Sequence, residues 1–356
     1  MTLGIIDVGT NSIHLLVGVL GLSGTFHIIL KERDLTRLGE GGLARGRLTG
    51  RAMHRAVEVL ARYAAIMKRC GVEHVEAVAT SAVREAANGR ALVRQVRDRL
   101  RIPLRVISGR EEARLIYLGV LQAARFRRPT AIVTIGGGSA QGMCGDGTRL
   151  QYTASVPLGG ARLAQRFIRH DPPRPEEVEA LRQHVERTWA PIVRVMRRHR
   201  WQMSLGSSAT IYQLMAAADL LTRGRRARAS KGSLSISRRS LQRLVAWLAD
   251  STARERIQLP GLDPRREDLA LTTGVALLCW MEGCRVNRLR YAPGSLREGL
   301  VVDYLIKHHR RASRRLASSA GLAEPANGNG RHWSVPRQML TAGVTPLPRL
   351  RESEKR

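Results

Sequence analysis

Short apolar runs rich in β-branched residues alternate with glycine-rich turns at the start of the chain. Because this alternation is typical of antiparallel hairpins, it predicts three strands in a meander, at residues 4–8, 13–19 and 26–31. A helix follows Thr49, which is suited to the N-cap position. Apolar side chains recur there every three or four residues and predict a core-facing stripe of Met53, Ala56, Val57, Leu60, Ala64 and Met67.

The same order of strands and helices occurs again later in the chain. The first half continues with predicted strands at 75–79 and 104–107 and helices at 91–100 and 111–124. Three short strands then recur, at 131–135, 141–144 and 150–156. Two long helical stretches reach to about residue 200, and the remaining predicted elements are strands at 202–205 and 289–292 and helices near 209–218, 238–250, 269–283 and 296–307.

This duplicated β-β-β-α-β-α-β order predicts an α/β protein with two lobes that face each other across a cleft. We place the N-terminal lobe at residues 1–125 and the C-terminal lobe at residues 126–309. Residues 310–356 are basic and show little periodicity, so we expect this tail to be disordered.

Composition adds a strong positive charge to this picture. The formal net charge is +31, and the segment from Arg310 onward contributes only +7, so about +24 belongs to the body of the chain. Such a surface attracts polyanions: nucleic acid, anionic lipid, polyphosphate or nucleotides. The alternative interpretation is a general arginine bias with no specific partner.

The remaining composition points to a reduced, cytoplasmic setting. Four scattered cysteines lack the paired spacing of a zinc or redox site. Asp7 interrupts the first apolar run, so we expect no signal peptide. The most apolar later segment, residues 269–284, is short and mixed, and we interpret it as a buried helix and not as a membrane span.

Two glycine-containing loops each follow a β-branched strand. Residues 132–142 read Ile-Val-Thr-Ile-Gly-Gly-Gly-Ser-Ala-Gln-Gly, and residues 4–12 read Gly-Ile-Ile-Asp-Val-Gly-Thr-Asn-Ser. Glycines lack Cβ atoms, so backbone N–H groups can close around an anion. Both loops are therefore candidate phosphate cradles.

Three charged side chains are the candidates for chemistry. Asp7 ends a strand beside the first loop and is placed to hold Mg²⁺, although Asp is also common in turns with no function. Arg84 can grip phosphate oxygens, or form a surface pair with Glu85. In residues 108–113, Ser-Gly-Arg-Glu-Glu-Ala, helix capping accounts for one of the two glutamates and leaves the second as a general base.

Six motifs together give a specific resemblance: Asp7-Val-Gly-Thr-Asn-Ser12, Ala79-Thr-Ser-Ala-Val-Arg-Glu-Ala86, Ser108-Gly-Arg-Glu-Glu-Ala-Arg-Leu-Ile116, Ile135-Gly-Gly-Gly-Ser139, Ser155-Val-Pro-Leu-Gly159 and Gly294-Ser-Leu-Arg-Glu-Gly299. In this order, over roughly residues 3–307, they resemble the exopolyphosphatase/guanosine pentaphosphate phosphatase (Ppx/GppA) family. The resemblance implies an actin-like, ribonuclease-H-like two-lobed fold, in a short form without the C-terminal helical phosphohydrolase-like domain. It also implies Mg²⁺-dependent hydrolysis of phosphoanhydride bonds in inorganic polyphosphate or pppGpp, and a possible homodimer.

The resemblance also implies roles for individual residues. Glu112 matches the general base that activates the attacking water. Asp7 matches a metal-binding position. The positions that match phosphate-binding residues are Gly9, Asn11, Ser12, Arg84, Gly137, Gly138, Ser139, Gly206 and Ser208.

The chain departs from the family pattern at three positions. Thr134 and Gln141 replace an Asp and a Glu, so two carboxylates linked to metal binding are neutral here. Ala209 stands where the family usually has the second glycine of a loop. If the cleft is intact while the metal ligands are lost, the alternative function is a polyphosphate or (p)ppGpp sensor without turnover. If the lost carboxylates are instead replaced from elsewhere in the chain, Glu85 and Glu298 are the candidate acids, since both lie in motif turns.

Partner choice follows from charge and aromatic content. The basic body suits a long polyanion better than a small nucleotide, which favours polyphosphate over pppGpp. Basic clusters at residues 194–200 and 223–231 would allow nucleic-acid binding, but only 4% of residues are aromatic, so stacking platforms are few. We therefore expect no specific nucleic acid and no membrane as partner, and interpret these clusters as solvated faces or polyphosphate tracks.

Overall fold

The computed structural model describes residues 1–21, 25–223, 234–316 and 332–334 of the chain. The strands are β1 (Thr2–Val8), β2 (Ile13–Leu20), β3 (Thr25–Asp34), β4 (His74–Ala79), β5 (Leu104–Val106), β6 (Thr130–Ile135), β7 (Ala140–Gly145), β8 (Leu150–Val156), β9 (Met203–Ser207), β10 (Ser235–Ser237), β11 (Arg288–Tyr291) and β12 (His332–Ser334). The helices are α1 (Gly50–Arg69), α2 (Ser81–Glu85), α3 (Gly89–Leu100), α4 (Gly109–Ala124), α5 (Gly160–Phe167), α6 (Pro175–Met196), α7 (Ala209–Arg223), α8 (Arg238–Asp250), α9 (Ala253–Gln258), α10 (Ala270–Gly283) and α11 (Leu296–Leu316).

Two six-stranded sheets carry the fold, and their common parts have the same topology. The first sheet has the order β12-β3-β2-β1-β4-β5 and the second the order β10-β11-β9-β6-β7-β8. In each, three consecutive strands form an antiparallel meander and the next strand pairs parallel with the first of them: β4 with β1, and β9 with β6. The predicted duplication is confirmed.

Helices α4 and α11 form a layer between the two sheets. They pack on each other, α4 also contacts β7 and β8, and α11 contacts β1. One buried cluster joins their apolar faces to side chains of both sheets, such as Leu3 and Ile5 of the first and Ile132 and Leu205 of the second. Helix α11 thus packs against the first strand, and the two lobes share a core.

A second core lies on the other face of the C-terminal sheet, around α10. This helix is apolar on all sides because α6, α7 and α8 enclose it. The Trp189 indole nitrogen of α6 donates a hydrogen bond to the Ala276 carbonyl of α10, 3.1 Å away, so even the polar atom of this large side chain is satisfied. The buried helix predicted at residues 269–283 is confirmed, and no described helix has the length and apolar character needed to cross a bilayer.

Several elements differ from the sequence prediction. The first of the two predicted long helices is the eight-residue α5, and short elements such as α2, α9 and β10 were not predicted. The buried stripe of α1 is rotated from the predicted one: Met53, Val57 and Ala64 are only partly buried, while Tyr63 faces the core. Its hydroxyl donates to the Ile13 carbonyl, 3.1 Å away, so a polar tip is accommodated in an apolar face.

The tail departs from the expected disorder in two places. Helix α11 continues to Leu316, past the boundary placed at residue 309, because a helix docked on α4 propagates beyond its packed turns. Residues 332–334 form β12, which pairs with β3 and sets Trp333 opposite Phe26. Such pairing of a distant segment with a sheet edge leaves no local signal in sequence. The other tail residues, and 224–231 of the second basic cluster, lie outside the described residues.

Candidate active site

The cleft between the sheets is built around two matching turns. In the first turn, the Gly9 amide donates to the Ser12 carbonyl (3.1 Å), and in the second the Gly136 amide donates to the Ser139 carbonyl (2.9 Å). Each turn closes a hairpin, β1–β2 or β6–β7, so the duplicated topology brings two equivalent loops face to face. They line a cavity of about 190 Å³.

The loops approach each other closely because the second one lacks side chains. A Cβ added to Gly138 would collide with the hydroxyl groups of Thr10 and Ser81, and one added to Gly137 would lie 3.1 Å from Asn11. Of the predicted phosphate-binding residues, Gly9, Asn11, Ser12, Gly137, Gly138, Ser139 and Ser208 all line the cavity.

Gly206 and Arg84 are placed differently. Gly206 packs against Leu289 and Ile211 beneath the loop that it precedes. Ser208 in that loop accepts a hydrogen bond from the Ile211 amide (3.2 Å), which caps α7, and its φ of 153° is one that glycine adopts more readily. Arg84 stands behind the cavity wall, bonded to Glu112.

The two adjacent glutamates of α4 point in different directions. Ser108 caps the helix by accepting from the Glu111 amide (3.1 Å), and the Glu111 carboxylate pairs with Arg105 at 2.7 Å. Glu112 is buried in the cleft instead, where Arg84 donates to one carboxylate oxygen (2.9 Å) and the Ser139 hydroxyl to the other (3.5 Å). Burial raises the pKa of Glu112, while the charge and hydrogen bond of Arg84 oppose that shift.

Asp7 lies at the end of β1 at the floor of the cleft. Burial raises the pKa of this carboxyl to about 7, against the attraction of Arg297 and with the repulsion of Glu112 and Glu298 added. In the paired register Asp7 stands opposite His14, and the corresponding pair in the second hairpin is Thr134 and Gln141. The carboxylate of the first turn therefore has no acidic counterpart in the second.

Gln141 joins a hydrogen-bond network that ends at Glu112. Its amide nitrogen donates to the hydroxyl groups of Ser139 (2.9 Å) and Ser155 (3.3 Å). Because the Ser139 proton is directed to Glu112, its oxygen needs a donor, and the amide supplies one. Gln141 thus presents N–H groups where a glutamate would present negative oxygens.

The two acids considered as replacements do not line the cavity. Glu85 accepts from Ser81 (2.7 Å) and pairs with Arg162, while Glu298 accepts from Ser295 and lies 3.8 Å from Lys31. Within the described ranges, the one cluster of three His, Cys, Asp or Glu side chains suited to a metal ion lies elsewhere in the C-terminal lobe, at Glu186, Cys279 and Glu282. A Mg²⁺ site that needs two or more carboxylates therefore fits the cleft poorly.

Sequence reasoning missed two cations of the cleft. Arg266 is buried and donates to the Ser12 hydroxyl (3.0 Å), so it reaches from the C-terminal lobe to the first turn. Burial, and then repulsion from Arg33, lower its pKa to about 10. It stands in an ordinary charged segment, Asp263 to Asp268, and local sequence offers no signal for its position.

Arg297 lies opposite β1, beside His14. Its guanidinium is 3.0 Å from the His14 Nδ1, and the imidazole is kept neutral because burial and then Arg297 lower the pKa of His14 to about 2. Arg297 belongs to the motif at residues 294–299, so that motif is the sequence feature that could have identified this arginine as a residue of the cleft.

Comparisons with known proteins agree with this geometry. The chain matches the Ppx/GppA phosphatase family over residues 20–308. It is 29% identical to exopolyphosphatase 1 of Mycobacterium leprae over 86% of this chain and 90% of that protein, and 27% identical to exopolyphosphatase 1 of Mycobacterium tuberculosis over 86% and 88%.

Solved structures show the same fold. The crystal structure of an exopolyphosphatase from Cytophaga hutchinsonii superposes with a TM-score of 0.78 at 29% identity, covering 86% of this chain and 98% of that one. The Aquifex aeolicus member of the Ppx/GppA family reaches a TM-score of 0.71 at 24% identity, over 86% and 98%. Both are matched almost to their full length, so the two-lobed fold that the family resemblance implies is confirmed. The chain belongs to the Ppx/GppA phosphatase family.

Proposed function

We propose that the protein hydrolyses phosphoanhydride bonds and releases terminal phosphate from inorganic polyphosphate. The observation that carries this proposal is the buried Glu112, which faces two glycine turns in the cleft and is oriented by Arg84 on one oxygen. The family membership and the exopolyphosphatase relatives support the reaction type. The basic body supports polyphosphate as substrate in preference to pppGpp.

Glu112 is suited to act as the general base. A water held at its carboxylate attacks the terminal phosphorus, its proton passes to Glu112, and the bridging P–O bond breaks to leave a chain shorter by one phosphate. The raised pKa of Glu112 makes its carboxylate a stronger base than an ordinary glutamate.

The two turns and their neighbours are suited to hold the phosphate oxygens. The backbone N–H groups of Gly137 and Gly138 offer donors on one side of the cleft, and the side-chain amide of Asn11 offers donors on the other. These donors would stabilise the charge that spreads over the phosphoryl oxygens during transfer. Arg84 acts on the water through Glu112, to which it is bonded.

The test is phosphate release from long-chain polyphosphate by the wild type, Glu112→Gln and Glu111→Gln. Removal of a general base lowers the rate by about 10²–10⁴-fold, so Glu112→Gln should lose nearly all activity. Glu111→Gln is the matched control, because this neighbour pairs with Arg105 outside the cleft.

A second candidate function follows from Thr134 and Gln141, which replace acids of the family pattern. It is a polyphosphate sensor that binds without turnover. Wild-type protein that binds polyphosphate but releases no phosphate above the Glu112→Gln background would favour the sensor and contradict the hydrolase.

A further inference from the structure

We infer that the cleft of this chain binds polyphosphate directly on arginine side chains, without a divalent cation held by the protein. Thr134 and Gln141 of the second hairpin are neutral, and Arg266 and Arg297 enter the cleft. The inference rests on the proposed function, since it concerns how the same cleft takes the same substrate.

Carboxylate supply is the first argument. Asp7 and Glu112 are the two acids among the described residues that line the cavity. Glu112 is committed to Arg84 at 2.9 Å, which leaves Asp7 as a lone anionic ligand. Protein-bound Mg²⁺ needs anionic oxygens in near-octahedral arrangement, and one carboxylate partly offset by Arg297 is a weak attachment.

Gln141 gives the second argument, because its side chain directs hydrogen-bond donors, and not the lone pairs of a metal ligand, toward its neighbours. Its amide nitrogen faces Ser139 and Ser155, so hydrogens point into the region where the family pattern has a carboxylate. Gln141 is 1% exposed and Thr134 6% exposed, so both positions are fixed by packing and hold neutral groups inside the wall. The amide nitrogen of Gln141 is thus engaged within the wall, and neither position offers a cation an anionic oxygen.

Charge balance in the cleft is the third argument. Arg266 and Arg297 line the cavity with Asp7, while the charge of Glu112 is offset by Arg84 behind the cavity wall. With acids at positions 134 and 141 the carboxylates would outnumber the arginines, and the cleft would need a cation to accept a polyanion. As the chain stands, the arginines outnumber the acids and supply that positive charge themselves.

Buried donors without partners are the fourth argument. Among the described residues, the Arg266 Nε and the Asn11 Nδ2 are buried and make no hydrogen bond. Both side chains are more than nine-tenths buried and line the cavity. Buried donors without acceptors are costly, and the oxygens of a phosphate chain would satisfy them.

The experiment measures binding, apart from turnover, by titrating tripolyphosphate calorimetrically into the Glu112→Gln protein. We expect the affinity in EDTA to be within about threefold of the affinity in Mg²⁺. Since one charge-assisted hydrogen bond is worth about 1.5–3 kcal/mol, Arg266→Gln in the same background should weaken binding by roughly 10–100-fold in EDTA. Arg254→Gln, which removes an exposed arginine outside the cleft, is the control for lost net charge.

A second measurement follows Mn²⁺ binding by electron paramagnetic resonance. The wild type should bind Mn²⁺ no more tightly than its Asp7→Asn variant, and Thr134→Asp/Gln141→Glu should gain a site and lose affinity for tripolyphosphate in EDTA. Tripolyphosphate binding that appears only with Mg²⁺, or a wild-type Mn²⁺ site abolished by Asp7→Asn, would overturn the inference. Loss of tripolyphosphate binding under every condition would instead refute the proposed function.

Discussion

Glu111 and Glu112 are adjacent residues of one type, and their surroundings separate them. Glu111 lies at the exposed side of the first turn of α4 beside Arg105, while Glu112 is buried between Arg84 and Ser139. From the sequence, helix capping accounted for one of the pair, and the family resemblance identified Glu112 as the general base. Burial then raises the pKa of Glu112, which the sequence alone cannot give.

Asp7 is the residue for which pH dependence is predicted. Its pKa is about 7 in the folded protein, against 3.8 as the ordinary value, so the folded state favours the protonated form. Folding therefore takes up a proton between about pH 4 and pH 7, and the stability that Asp7 contributes falls as pH rises through this window. Above about pH 7 the loss is complete and no longer changes.

Replacement of Asp7 tests this linkage. Asp7→Asn has no carboxyl group to ionise, so its free energy of unfolding, relative to the wild type, should increase from pH 4 to pH 7. The full gain is at most about 4 kcal/mol, from about three pKa units at 1.36 kcal/mol each. Urea unfolding in EDTA at pH 4.5, 6 and 8 measures it. A difference between the two proteins that stays constant across this range would contradict the raised pKa.

At the scale of elements, the two turns are where sequence reasoning succeeded. Strands β1 and β2 and strands β6 and β7 were predicted from short β-branched runs, and each hairpin closes with the same amide-to-carbonyl hydrogen bond. Local composition determines such turns, so both turns could be predicted from the sequence. The register that sets Thr134 opposite Gln141 follows directly from the closed turn.

Short elements and helix faces were harder to predict. Helix α2 has five residues and β10 has three, too few for a periodic signal. The buried face of α1 was predicted with an error because Tyr63 was not counted among its apolar residues, although its ring packs in the core. Such errors arise where tertiary packing, and not local pattern, decides which face is buried.

Gly138 tests the close approach of the two turns. In Gly138→Ala the new methyl group would collide with the hydroxyl groups of Thr10 and Ser81 and push the turns apart. We expect kcat/KM for polyphosphate to fall by more than about tenfold, since a misplacement of about 1 Å can cost 10²-fold.

Gly136→Ala is the matched comparison in the same turn. Its added Cβ would have the Ser139 carbonyl oxygen as nearest neighbour at 3.4 Å, which is ordinary contact. The loss of kcat/KM should therefore be much smaller than for Gly138→Ala. Equal losses in the two variants would show that flexibility of the glycine run, and not space between the turns, is what the cleft requires.

At the scale of the whole molecule, the contacts between lobes could not be predicted. Arg33 and Arg37 pair with Asp263 and Asp268, more than 200 positions away in sequence. These residues belong to charged segments that resemble any solvated surface, so only the folded chain shows which arginine meets which acid. The position of Arg266 follows from these pairs, since it lies in the same short 3-10 helix, Pro264–Leu269.

The pairs Arg33–Asp263 and Arg37–Asp268 attach the helix that carries Arg266 to the N-terminal lobe, at 2.9 and 3.3 Å. Both are partly exposed, so each contributes about 0.5–1 kcal/mol and is screened by salt. In Arg33→Gln/Arg37→Gln we expect KM for polyphosphate to rise about 3–10-fold while kcat changes little, because Arg266 is held less firmly over the first turn. The wild type at 500 mM salt should approach the KM of this variant.

Small-angle scattering distinguishes an open cleft from a loss of charge. The radius of gyration of the double variant should exceed that of the wild type at low salt, and the two should converge as salt rises, because screening removes the same pairs that the substitutions remove. Arg94→Gln/Arg97→Gln removes two exposed arginines from α3 and should leave both the radius and its salt dependence as in the wild type. If Arg94→Gln/Arg97→Gln raises KM as much as Arg33→Gln/Arg37→Gln does, the rise in KM comes from the loss of positive charge that attracts the substrate. The two ion pairs then do not hold the lobes together.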